Sequence, residues 1–111
     1  MKYCGYSCQN YAEWKNIISE KLKNAEKFEI HCWEDETSFI ELALKYGSKK
    51  EYDWSGTIIE GEVTEELCQM ILNQPEPQDK EIYDKFTPFF SIFLDNKFFS
   101  EHYGTELNEM E

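Results

Sequence analysis

The segment from Thr87 to Tyr103, TPFFSIFLDNKFFSEHY, restricts the possible folds more than any other part of the chain. It contains five of the eight phenylalanines, and aromatic runs favour strands because flat rings pack well on a pleated surface. Asp95 and Asn96 separate two aromatic runs and tolerate the left-handed backbone of a two-residue turn. The segment therefore predicts a β-hairpin near the end of the chain.

A turn of two residues also predicts the register of this hairpin. Phe93 would lie opposite Phe98, and Ile92 opposite Phe99. Residues 89–94 are almost all apolar, which predicts a first strand inside the sheet with both faces covered. The return strand becomes polar at residues 101–103, as is typical of an edge or near-edge strand, and the acidic residues 104–111 predict a frayed tail.

Apolar residues at helical spacing predict three helices before the hairpin. Asn10 is the predicted cap of the first helix, Ser38 of the second, and Thr64 of the third. Gly47 is expected to end the second helix. A fourth, short helix is expected over residues 79–86, after a proline-containing loop.

Alternating apolar and polar residues predict strands between these helices. Residues 28–33 predict a strand with Cys32 on its apolar face, residues 52–63 predict another, and residues 2–8 a short first one. Residues 48–51 are interpreted as a polar connection. We expect a single α+β domain over residues 1–111, with helices packed on one mixed sheet and a C-terminal β-hairpin; a three-layer α/β arrangement is the alternative.

The acidic charge is confined to the second half of the chain. Residues 1–50 carry 8 Lys and 8 acidic residues, whereas residues 51–111 carry 3 Lys and 15 acidic residues, so this half accounts for the whole net charge of −12. Unpaired carboxylates belong on the surface, where they repel nucleic acid and anionic lipid and attract basic proteins. The competing explanation is that the acidic charge only keeps the protein soluble.

Other features of composition point to a cytoplasmic protein that binds no membrane and no nucleotide. The first residues lack an apolar signal-peptide core, and no apolar run is long enough to span a bilayer. All basic residues are Lys, so the bidentate Arg fork that often clamps phosphate is absent, as is a glycine-rich phosphate loop. The four cysteines are expected to be reduced thiols.

A small cysteine- or metal-dependent enzyme, or a zinc-binding domain, is the alternative class. Cys4 and Cys8 lack a second pair at zinc-finger spacing, and a strand places His31 and Cys32 on opposite faces. Cys4 or Cys8 with His102 would make a nucleophile pair, but no turn motif frames it. We therefore predict no catalytic residue, no metal ligand and no cofactor.

The candidate binding residues are acids that flank a tryptophan. A strand over residues 52–63 would place Trp54, Glu60 and Glu62 on one face, and first-turn acids of the next helix would extend the charge. An aromatic ring beside carboxylates is typical of an interface with a basic protein, although a buried ring beside an ordinary solvated edge explains the same pattern. The predicted partner-binding residues are Asp53, Trp54, Glu60, Glu62, Glu65 and Glu66.

With these acids, Trp54 and its one-sided charge, the chain resembles small acidic bacterial immunity proteins and antitoxin-type inhibitors. The resemblance is one of class and composition. It implies that the protein binds and neutralises a basic toxin domain, such as a nuclease, by filling its active site with an acidic surface. A monomer or a weak homodimer is expected, since an uncovered strand of the hairpin would be able to pair with a second copy.

Overall fold

The computed structural model describes residues 3–7, 9–51, 55–78 and 85–110, which form three helices and seven strands. The helices are α1 (Tyr11–Asn24), α2 (Thr37–Leu44) and α3 (Glu65–Leu72). The strands are β1 (Tyr3–Ser7), β2 (Lys27–Cys32), β3 (Ser48–Lys50), β4 (Thr57–Glu62), β5 (Ser91–Leu94), β6 (Phe98–Glu101) and β7 (Glu106–Met110).

These strands form one sheet in the order β1-β7-β6-β5-β2-β4-β3, and every pairing described is antiparallel. The predicted α+β class, with helices packed on one sheet and a C-terminal hairpin, is confirmed. The prediction of a mixed sheet is wrong, because the described strand pairs are all antiparallel. Of the described helices, none is long and apolar enough to cross a bilayer.

One hydrophobic core joins the three helices to one face of the sheet. Apolar residues spaced three and four apart give α1 and α3 a buried stripe, and residues spaced two apart give strands such as β2 and β6 a buried face. Its deeply buried members include Trp14 and Ile18 of α1, Phe28, Ile30 and Cys32 of β2, Ile59 of β4, Leu67 and Ile71 of α3, Ile92 of β5 and Leu107 of β7. Cys32 lies on the apolar face, as predicted.

Two of the three predicted helix caps are confirmed. The Asn10 side chain accepts a hydrogen bond from the Glu13 N–H at 2.8 Å, and the Thr64 hydroxyl accepts one from the Leu67 N–H at 3.1 Å. The Ser38 cap is wrong, because Glu36 is the N-cap of α2. The prediction that Gly47 ends this helix is also wrong, because α2 ends at Leu44 with Lys45 as its C-cap.

The predicted turn is correct, but the predicted register is wrong. Asp95 and Asn96 have φ of 55° and 54°, so both are left-handed. Phe93 lies opposite Phe99, and Leu94 opposite Phe98, because Lys97 adds an extra residue beside the turn. This one-residue shift keeps Leu94 and Phe98 together in the core, at 2% and 3% exposure.

The return strand is not at an edge, and the acidic tail is not frayed. Residues 106–110 form β7, which pairs with β6 on one side and with β1 on the other. Burial of Leu107 and Asn108 anchors this strand despite its acidic neighbours. Residues 48–50, interpreted as a connection, form the edge strand β3. Within the strand predicted over residues 52–63, residues 57–62 form β4, whereas residues 52–54 lie outside the described residues. Residues 79–84 of the helix predicted over residues 79–86 also lie outside them, and residues 85 and 86 are not helical.

Candidate functional site: an acidic groove on the outer face of the sheet

The helices cover one face of the sheet, and the candidate site lies on the other, which we call the outer face. Because Phe28, Ile30 and Cys32 point into the core, the alternating residues Glu29 and His31 of β2 point to the outer face. The antiparallel register then places side chains of β3, β4 and β5 beside them. Charged and aromatic side chains are therefore neighbours on this face.

These side chains line a concave region of about 500 Å³ that we call the acidic groove. Its described lining residues include four carboxylates and two ammonium groups, so their summed formal charge is negative. The lining residues are Lys27, Phe28, Glu29, Ser48, Lys50, Glu60, Gly61, Glu62, Phe93, Asp95 and Asn96.

Two of the predicted partner-binding residues, Glu60 and Glu62, form one wall of this groove. Both are exposed and, two residues apart on β4, they share a face as predicted. Glu62 contacts Lys27 at 3.3 Å between highly exposed atoms, a kind of ion pair that contributes little to stability. No ion pair joins Glu60 to any residue that the structure describes.

The remaining predicted residues lie outside the groove or outside the described part of the chain. Glu65 and Glu66 are exposed in the first turn of α3, where the positive end of the helix dipole favours carboxylates, but they do not line the groove. Asp53 and Trp54 lie outside the described residues. Of the four predicted acids that the structure describes, two therefore line the groove.

Glu29 is a groove residue that sequence reasoning missed. It lies directly across from Glu60, a pairing of like charges that would be unfavourable without compensation. Lys50 donates to one oxygen of Glu29 at 3.1 Å, and His31 Nε2 is hydrogen-bonded to the other at 3.1 Å. Burial acts to raise the pKa of Glu29, but these two partners lower it below its ordinary value, so the carboxylate stays ionised.

Part of this network was visible in the sequence. The alternation in residues 28–33 already placed Glu29 and His31 on one face of a strand. Lys50 was missed because β3 was interpreted as a connection, and only the pairing of β3 with β4 carries Lys50 to Glu29.

A row of half-buried aromatic rings borders the groove. The His31 and Phe93 rings lie 4.4 Å apart, and the Phe93 and Phe99 rings meet edge to face at 4.7 Å. The corrected hairpin register causes this contact, since Phe93 and Phe99 are cross-strand partners on the outer face. The site thus combines apolar area with negative charge.

Of the residues considered for the alternative enzyme or zinc site, the structure describes the side chains of His31, Cys32 and His102. Burial, with the nearby Glu36 carboxylate, raises the pKa of Cys32 to about 12, so its thiol is neutral and packs as an apolar group. His102 lies in an exposed turn, with Nδ1 2.8 Å from Glu106. The residues described here include no cluster of three or more side chains suited to a metal ion. Cys8 and the Cys4 side chain lie outside them.

Comparisons of the chain with protein-family models, with curated proteins and with solved structures found no match.

Proposed function

We propose that this chain is an immunity-type binding protein that neutralises a basic toxin domain, most simply a nuclease, in the cytoplasm. It binds through the acidic groove and the neighbouring acids of α3 and performs no chemistry itself. The observation that carries the proposal is the pair of exposed carboxylates, Glu60 and Glu62, on one wall of a concave and partly aromatic surface.

Such a surface can take the place of the phosphates of a nuclease substrate. A nuclease active site has a basic groove that attracts the phosphates of its substrate. Carboxylates spaced along a strand repeat about every 7 Å, close to the spacing of successive phosphates, and offer the same charge. The adjacent Phe93 and Phe99 rings add apolar area that slows dissociation, whereas the carboxylates mainly accelerate association.

The first experiment is recovery and inhibition of the partner. The immobilised protein would be incubated at low salt with lysate of its source organism, and retained basic proteins would be produced separately and assayed for cleavage of DNA and RNA. We expect one equivalent of this protein to abolish the nuclease activity of a retained domain. If no retained protein loses a measurable activity on binding, the proposal is wrong.

The second experiment assigns the surface with charge-matched variants. Glu60→Gln/Glu62→Gln changes the groove, whereas Glu20→Gln/Glu41→Gln makes the same charge change on α1 and α2, against the other face of the sheet. We expect association with the partner to slow roughly threefold to tenfold for the groove pair and to become less salt-dependent. The control pair should remain within about twofold of the parent protein. Equal effects of the two pairs would indicate general charge attraction and exclude the groove.

A further pair, Glu65→Gln/Glu66→Gln, tests whether the binding surface continues onto α3. A slower association for this pair would extend the surface. An unchanged rate would confine it to the outer face of the sheet.

A further inference from the structure

A second concave region lies at the other end of β2 from the acidic groove and has a volume of about 800 Å³. We call it the Tyr103 cleft. Three aromatic rings line it, those of Trp33, Phe39 and Tyr103, together with prolines that include Pro77 and Pro88. Flat rings and prolines are rigid, so a ligand bound among them would order few side chains of the protein.

The charge of the Tyr103 cleft favours a cationic ligand. Among the described residues that line it are three carboxylates, those of Asp35, Glu36 and Glu76, and one ammonium group, that of Lys85. Lys85 Nζ lies 4.5 Å from the centroid of the Tyr103 ring, within the range of a cation–π contact. The chain's own lysine therefore shows that this cleft accepts a cation on an aromatic face.

The backbone at Tyr103 is held in a strained conformation. Its φ is 60°, in the left-handed region that bulky residues rarely adopt. Its carbonyl accepts hydrogen bonds from the Phe86 and Thr87 N–H groups at 2.8 and 3.2 Å, and its N–H donates to the Phe90 carbonyl at 3.0 Å. Its hydroxyl donates to Glu36 at 3.0 Å. Strain that so many contacts maintain is characteristic of functional positions, and here it fixes the ring as a wall of the cleft.

We propose that the Tyr103 cleft binds an arginine side chain of the basic partner, as an anchor separate from the acidic groove. A guanidinium group is flat and weakly hydrated, so it stacks on aromatic rings and pairs with carboxylates at once. The inference rests on the proposed function for the identity of the partner. From Lys27 in the groove to Cys32, which precedes Trp33 of the cleft, β2 spans five residue steps or roughly 17 Å, so one interface of ordinary size can cover both sites.

The test uses a blocked pentapeptide, acetyl-Gly-Gly-Arg-Gly-Gly-amide, and the same peptide with citrulline, which has the shape of arginine without its charge. Binding would be followed by NMR at the indole N–H of Trp33, assigned with Trp33→Phe. We expect a saturable shift with a midpoint on the order of 1–10 mM for the arginine peptide, and binding roughly fivefold weaker or worse for citrulline. Absence of saturation, or a difference below about threefold, would overturn the proposal.

Two variants locate the binding. Asp35→Asn changes an exposed carboxylate of the cleft and should weaken arginine binding about threefold without affecting folding. Glu60→Gln/Glu62→Gln should leave peptide affinity within about twofold, because the groove is a separate site. If the groove pair weakens the peptide as much as Asp35→Asn does, the peptide senses general charge and the cleft assignment fails.

These outcomes separate the two proposals. Selective arginine binding in the cleft, with no partner whose activity is inhibited, would refute the inhibitor function and retain the arginine site. Suppose instead that a partner is inhibited equally well by the parent protein, Asp35→Asn and Trp33→Phe, and that the peptide does not bind. That result would refute the arginine site and retain the inhibitor function.

Discussion

One buried hydrogen bond between α1 and the sheet supports a quantitative prediction. The indole N–H of Trp14 donates to the Ser100 hydroxyl oxygen at 3.0 Å, and the two residues are 1% and 0% exposed. Replacing Ser100 by Ala removes the acceptor and leaves a donor that water cannot reach. An orphaned buried donor destabilises a protein by about 1–3 kcal/mol. For a domain of this size we expect Tm to fall by about 5–15 °C.

The assay is urea unfolding of four proteins: the parent, Ser100→Ala, Trp14→Phe and the double variant. Trp14→Phe removes the donor and leaves a small cavity, so it is itself destabilising. In that background Ser100→Ala should change the free energy of unfolding by less than about 0.5 kcal/mol, because no indole N–H remains to be satisfied. If Ser100→Ala is equally destabilising in both backgrounds, its effect arises from packing and the hydrogen-bond reasoning is wrong.

Three further predictions concern other described residues. Gly104 has a φ of +89°, and a Cβ added to it would lie 2.7 Å from Trp14 Nε1. Gly104→Ala should therefore reduce the free energy of unfolding, measured by urea titration, by about 2 kcal/mol or more. A smaller loss would mean that the backbone relaxes. Because the folded pKa of Glu29 is lowered from 4.5, its ionised form stabilises the fold above pH 4.5, and that contribution is lost as pH falls through the lower folded pKa. The difference in urea midpoint between the parent and Glu29→Gln should therefore narrow in acid, and a constant difference would contradict this. Burial raises the pKa of Cys32 from 9.0 to about 12, so its thiol should react slowly with a thiol reagent until the protein unfolds. The stability of the protein should also fall as pH rises above 9.0, because the unfolded thiol ionises first. Rapid labelling of the native protein would refute the first of these predictions.

The features that sequence reasoning recovered are those determined by near neighbours. Asn10 and Thr64 cap helices through N–H groups three residues ahead, and Asp95 with Asn96 forms the turn through its own backbone preferences. The shared face of Glu60 and Glu62 likewise follows from the two-residue repeat of a single strand.

The features that it missed depend on pairing between distant segments. The hairpin register depends on whether Lys97 belongs to the turn or to the strand. Leu94 and Phe98 are both buried as a cross-strand pair, and this pairing leaves Lys97 outside the strand. β3 is short and polar, so its sequence resembles a loop until β4 pairs with it. The Tyr103 cleft was invisible for the same reason, since its walls come from four separate parts of the chain.

The pairing of β1 with β7 has a consequence for how the chain folds as it is made. Tyr3 lies opposite Met110, so β1 leaves the ribosome before a partner strand that is synthesised more than a hundred residues later. Contacts so distant in sequence slow folding, because loop closure must come before the strands can pair. Until residues 106–110 emerge, both β1 and the free side of β6 expose unpaired backbone groups. A nascent chain stalled just before β7 is therefore expected to be the form most prone to aggregate, with the acidic charge of its second half as the main protection.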